Sequence, residues 1–315
     1  DALPIYIGLF SRVNVSLDWY TRTTKDLLMS KQLNSISGFS SLLTNVGQMR
    51  NTGVELEVRS NNIKTKDFSW TTAFNLSHNK NKILKLADLP WFVDGRYVRK
   101  EGYPFNTIYL REYAGVDPET GSALYYDNQQ DENGNYTKNK VTDPGQASPI
   151  PLKDITPTIS GGFMNTFNYK FIDLSFNLSY SFGGYSYDNA SYILQDDGYS
   201  VISNKSTEQR RRWQKPGDIT DVPRFVYGNK KGGNYNSSRA IHSTDHIRLK
   251  SLILGLNAPK AWLQKLGIGN ARIYFSGTNL LTWAAYGQYD PEMSGVVGFY
   301  TPPLKTYAFG LELKF

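Results

Sequence analysis

The chain has 315 residues, with 35 Lys and Arg against 28 Asp and Glu, 3 His and no Cys. That length admits one large all-β domain or two smaller ones, and the missing thiols exclude disulfide scaffolds, Cys-ligated zinc, iron–sulfur clusters and cysteine catalysis. A net charge of +7 does not by itself point to nucleic acid, and no apolar run approaches the ~18 residues of a membrane helix.

Alternation of apolar and polar residues, the period of a β-strand, recurs eight times along the chain. Val13, Val15, Leu17 and Trp19 alternate with Asn14, Ser16, Asp18 and Tyr20. Val54, Leu56 and Val58 alternate with Glu55, Glu57 and Arg59, and Trp70, Thr72, Phe74 and Leu76 with Ser69, Thr71, Ala73 and Asn75. A weaker match covers residues 158–167. Ile172, Leu174, Phe176, Leu178, Tyr180 and Phe182 then alternate with Asp173, Ser175, Asn177, Ser179 and Ser181. Two more weak matches cover 245–256 and 271–283, and Tyr307, Phe309, Leu311, Leu313 and Phe315 close the chain on one face.

A soluble β-sandwich shows the same period, so the connections have to discriminate. Short joints at 61–67, 168–170 and 257–270 alternate with long polar stretches at 23–51, 79–157, 183–244 and 284–305. An up-and-down antiparallel sheet then carries all its long loops at one end, which is the pattern of an outer-membrane barrel. The polar face would line a wet lumen, and the apolar face would meet lipid. Trp19, Tyr20, Trp70, Tyr180, Trp283 and Tyr307 lie near strand ends and suit interfacial girdles; ordinary core packing would also account for each ring taken singly.

Several stretches carry a family resemblance. Asn45-Val46-Gly47-Gln48-Met49-Arg50-Asn51-Thr52-Gly53-Val54-Glu55 resembles the N-x-G-x-M-x-N-x-G-x-E signature of SusC/RagA-type TonB-linked outer-membrane transporters. Phe68-Ser69-Trp70 with Asn79-Lys80-Asn81-Lys82-Ile83, Gly115-Val116-Asp117-Pro118-Glu119-Thr120-Gly121 and Arg212-Trp213-Gln214-Lys215-Pro216-Gly217-Asp218 are similar to further family stretches. So are His246-Ile247-Arg248-Leu249-Lys250, Gly277-Thr278-Asn279-Leu280-Leu281-Thr282-Trp283 and Asp290-Pro291-Glu292. The resemblance implies an all-β antiparallel transmembrane barrel of about 22 strands, of which residues 1–315 supply about eight C-terminal ones, without the plug or a TonB-contacting segment. It further implies a multi-pass protein of the bacterial outer membrane that imports a large nutrient through TonB. The solute would be an oligosaccharide first and a peptide second, under a SusD-like surface lipoprotein lid. The remaining partners would be the rest of the barrel and its plug, the TonB complex, lipid and lipopolysaccharide. A passive pore or assembly scaffold is the alternative, and a soluble glycan-binding β-sandwich a further one.

No enzyme is expected. There is no G-x-S-x-G elbow and no carboxylate pair set out for acid–base work, and neither a cofactor nor a nucleic-acid module is recognisable. Asp131-Glu132-Asn133-Gly134-Asn135 fails calcium-loop spacing, because glycine falls at its fourth position and Thr142 stands at the twelfth. Asn133-Gly134 instead predicts a tight hairpin turn between 124–126 and 136–138. Gly267-Ile268-Gly269 lacks the third glycine of a nucleotide loop. His78, His242 and His246 show no metal spacing, and a solvated rim is the expected place for the close pair. Arg210-Arg211-Arg212 and Lys230-Lys231 read as solvated loop, or as a contact for lipopolysaccharide or a lid. For solute contact, the candidates are the loop rings Trp91, Tyr97, Tyr109, Tyr113, Tyr199 and Trp213, since flat rings stack on sugars or peptide side chains. Packing within their own loops is the alternative for each.

Overall fold

A computed structural model describes residues 2–33, 35–39, 41–45, 47–86, 89–229, 236–264 and 267–315. Val46 of the first signature and the Lys230-Lys231 pair lie outside the described residues. Nine strands form one sheet: β1 (Ala2–Leu9), β2 (Val13–Thr24), β3 (Gly47–Lys64), β4 (Phe68–Leu86), β5 (Ile159–Tyr169), β6 (Ile172–Phe182), β7 (His246–Asn257), β8 (Asn270–Ala284) and β9 (Thr306–Lys314). Their spatial order is their sequence order, and every neighbouring pair is antiparallel. Connections of 10–12, 65–67, 170–171 and 258–269 alternate with the long ones, so all long loops leave from one end. No second sheet covers the apolar face among the described residues, which sets aside the sandwich.

The sequence period passes through the register without a break across most of the sheet. Val15 pairs Val58, Val58 pairs Phe74, Phe74 pairs Phe163, and Phe163 pairs Leu178. Rings tile this face: Trp70 stacks on Phe167 at 5.5 Å, Phe167 on Phe176 at 6.3 Å, and Phe275 lies 5.2 Å from Phe309. The opposite face aligns Ser16, Glu57, Asn75, Gly162 and Ser179 across successive strands. Five of the six girdle rings share the apolar face. Tyr20 does not: it sits opposite Gly53 on the polar face, and its hydroxyl donates to Asn79 Oδ1 at 3.2 Å.

β1 was not anticipated, and two strands are much longer than expected, at 18 residues for β3 and 19 for β4. Their ladder runs from Lys64↔Ser69 to Gly47↔Leu86, whereas β5 leaves β4 at His78. The extension stands as a blade above the sheet, joined by β2 as far as Thr24↔Met49. Here the first signature acquires a physical meaning. A side chain at Gly53 would collide with the Tyr20 ring, and one at Gly47 with Met29. Asn81 donates to Asn51 Oδ1 at 2.8 Å and accepts from the Phe105 N–H at 2.7 Å, which ties the blade to the loop above it.

The buried clusters belong to the loops and the blade. Met29, Ile83 and Leu86 form one, Ile108, Leu110, Tyr187 and Ala240 a second, and Ala123, Tyr125 and Ala147 a third. The turn at Gly134 is present, with φ +80°, but its strands are offset from those expected. Ala123–Tyr126 pairs with Lys140–Val141, and Tyr136 bridges Gln130. Asp131 Oδ1 accepts the backbone N–H groups of Asn133 and Asn135, so the acid builds the turn.

Candidate functional site in the long loops

The loops are tied to one another by the motifs that the sequence singled out. Asp117 accepts from the Glu119 N–H at 3.0 Å and from the Thr120 hydroxyl at 2.7 Å, folding residues 115–121 into a compact turn. Trp213 docks on that turn: its indole donates to Pro118 O at 2.8 Å, and a Cβ at Gly121 would strike the ring. Arg211 reaches Glu208 at 2.6 Å, so part of the basic run is matched within its own segment.

The 285–305 connection is fixed to the polar face of the sheet. Arg248, whose side chain is 2% exposed, holds Asp290 at 2.6 Å and Glu292 at 3.1 Å. Lys250 also reaches Glu292, at 2.6 Å. His246 is buried and its Nδ1 lies 2.8 Å from Thr244 O. His242 is stacked on Tyr286 at 3.7 Å with the planes 3° apart. The two imidazoles therefore do not occupy a solvated rim, because each is packed against a different neighbour.

Of the six candidate rings, two come together. Trp91 and Tyr109 lie 5.9 Å apart and line a cavity of about 470 Å³ with Lys100, Gln130 and Tyr136. Tyr97 packs against the Ile108–Tyr187 cluster, with the Arg99 guanidinium 5.4 Å from its ring centre. Tyr113 meets Tyr125 edge-on at 5.8 Å and donates to Asp221 O at 3.0 Å; burial pushes both phenols well above the usual tyrosine range. Tyr199 is half exposed, and Trp213 is held by its dock.

A second cavity, of about 270 Å³, was not anticipated. Tyr286, Tyr289, Phe299 and Tyr300 line it from one connection, and Asp188 and Gln195 from another. Four rings crowded into 286–300 were a compositional signal, but only the fold brings Asp188 under them. The Tyr286 hydroxyl donates to Asp188 Oδ2 at 3.1 Å across 98 positions of sequence.

A one-sheet meander with a continuous apolar face, a polar opposite face and long folded loops at one end defines a β-barrel wall of the bacterial outer-membrane type. The comparisons with known proteins agree. No protein-family model matches the sequence. The TonB-dependent receptor P3 of Formosa agariphila is 33% identical over 99% of this chain and 33% of its own length. SusC, a TonB-dependent receptor of Bacteroides thetaiotaomicron, is 28% identical over 98% of this chain and 30% of its own length. The structure of the RagAB peptide transporter matches 100% of this chain and 35% of that chain, with a TM-score of 0.89 and 30% identity. The chain belongs with the SusC/RagA-type TonB-dependent transporters of the outer membrane, and it spans about a third of the length of the relatives it matches.

Proposed function

We propose that this chain is the C-terminal part of the barrel of a TonB-dependent importer, with residues 25–46, 87–158, 183–245 and 285–305 facing outward. The solute is a large nutrient, an oligosaccharide first and a peptide second. A plug and further strands would complete the barrel, and a SusD-like lipoprotein would cap it. SusC among the relatives, and RagAB, a peptide transporter, among the solved structures, support the reading at the level of family.

The observation that carries it is the Trp91–Tyr109 cavity. Two rings, a cation at Lys100 and amides at Asn128, Gln129 and Gln130 converge there, which is the lining that small polar ring compounds need: flat apolar faces with a few fixed polar groups. Tyr199 is a further solute contact in this reading. Tyr97, Tyr113 and Trp213 act by holding the loops in place.

Uptake of candidate oligosaccharides and peptides by cells carrying the intact transporter tests the proposal. Each ring contact is worth about 0.5–1.5 kcal/mol, so a Trp91→Ala, Tyr109→Ala double variant should lose roughly tenfold in solute affinity, since 1.4 kcal/mol is about tenfold. Normal uptake with the loops still folded would move recognition to another part of the transporter.

A further inference from the structure

The smaller cavity has a charge imbalance at its floor. Of the other buried loop carboxylates, Asp196 has Lys205 at 2.6 Å, Asp197 has Arg239 at 2.5 Å and Asp290 has Arg248 at 2.6 Å, while Asp127 is held by the Thr137 hydroxyl and the Asn139 amide at 2.7 and 2.9 Å. Asp188 is 3% exposed, and among the described residues no cation pairs with it. Its Oδ1 accepts the Ser191 N–H at 2.8 Å, and its Oδ2 accepts the Tyr286 hydroxyl. A carboxylate offers about four acceptor positions, so about two remain.

The neighbouring bases do not supply the missing charge. The Arg96 guanidinium lies 4.5 Å from the centre of the Tyr187 ring and donates to Asn189 Oδ1 at 3.3 Å. His242 is stacked on Tyr286, and burial, opposed in part by the Asp188 charge, holds its basicity below that of an ordinary imidazole, so it is mostly neutral at pH 7. An ionised carboxylate out of water with no countercharge is costly. A ligand that brings a positive charge would relieve that cost.

The walls select the kind of cation. Tyr286 and Tyr289 lie 5.2 Å apart at 57°, and Phe299 and Tyr300 stand at the margin, 67% and 64% exposed. Ring faces are electron-rich and attract an organic ammonium over a desolvated carboxylate. A hard metal ion needs about six or more oxygen ligands, which one free carboxylate does not offer. At about 270 Å³ the space lies below the ~300 Å³ of a drug-sized site and admits one unit of a chain.

We propose that this cavity binds a primary ammonium group of the solute, with Asp188 as its counterion and the Tyr286, Tyr289 and Tyr300 rings as its walls. The inference rests on the import reading only in taking the ligand to be the transported solute. Two sources share the chemistry, an amino sugar and the amino terminus of a peptide.

The test is calorimetric titration of the intact detergent-purified transporter with two matched pairs. One pair is the glucosamine tetramer and its fully N-acetylated form; the other is pentaalanine and N-acetyl-pentaalanine. One free amine should bind at least tenfold more tightly than its acetylated partner, and the responding pair identifies the source. Asp188→Asn keeps an oxygen for Ser191 and should abolish that preference. Tyr300→Ala, a change at an exposed ring, should weaken the amine several-fold. No amine preference in either pair, or one that survives Asp188→Asn, overturns the proposal. Should that variant lose the protease resistance of its loops, an unchanged preference in both Tyr300→Ala and Phe299→Ala overturns it instead. Uptake is scored separately: amine binding without import would sink the import reading alone, and import without amine binding would sink this one.

Discussion

The sheet and the loops use the same side chains to opposite ends. In β9, Tyr307, Phe309 and Leu311 are 62%, 81% and 62% exposed, whereas Val98, Ile108, Tyr125 and Tyr187 in the loops are at most 1% exposed. The loops behave as a water-soluble protein with small cores and paired buried charges. Among the described residues no protein layer covers the apolar face of the sheet, and lipid supplies the burial that a core supplies elsewhere. One chain thus follows two solvation rules, separated by where each strand leaves the sheet.

The largest effect that would break this comparison is positional. Single cysteines at Asn62, near a short turn, and at Asn229, in a long loop, should differ fully in labelling by an impermeant thiol reagent on whole cells. Equal labelling would remove the sidedness. Next is the Asp290→Ala, Glu292→Ala double variant, which strands the buried Arg248 charge and should destabilise the 285–305 connection by about 3–5 kcal/mol, read as faster amide exchange or proteolysis confined to it. Phe176→Arg should then cost about 2–4 kcal/mol in folding into lipid vesicles, and Asn177→Arg much less, because only the first places a charge in hydrocarbon. The reverse order would mean that the two faces are exchanged.

The smallest effect is a pH dependence in the loops. Burial depresses the His242 pKa from its ordinary 6.5, so below about pH 6.5 the unfolded loop binds a proton that the folded one resists. Stability contributed there is present above that pH and falls as the pH drops through it. Amide protection near Tyr286, after correction for the slower intrinsic exchange at low pH, should fall from pH 7 to pH 5.5, and His242→Phe should flatten the change.

Much of the sheet was legible because one face of each strand meets a single environment, and the period records it. β1 escaped because it is 8 residues long and contains Pro4, which lacks a ladder donor; among the described strands β1 borders only β2, and an edge tolerates that loss. The weak periodicity of 245–256 and 271–283 also has a cause. The β7–β8 register shifts between Leu249 and Ser251, with Asn279 and Leu280 opposite Lys250 and Asn279 at φ +52°. The loops carry no period at all. Trp213 finds Pro118 across 95 positions and Tyr286 finds Asp188 across 98, so the sequence marked the rings without indicating which would meet.

The shift at Lys250 matters for how such a chain can vary. On the N-terminal side of it the even-numbered residues His246 and Arg248 share the polar face, and on the other side the odd-numbered Ser251 and Ile253 do. A strand read in two frames around a fixed slip can absorb a one-residue insertion or deletion at the slip itself. The same event at Phe176 in β6, whose ladder to β5 is unbroken from Ile159↔Phe182 to Tyr169↔Ile172, would turn every later side chain of that strand to the wrong solvent. Length variation among related chains should therefore collect at Lys250 and in the loops, and leave the centre of β6 untouched.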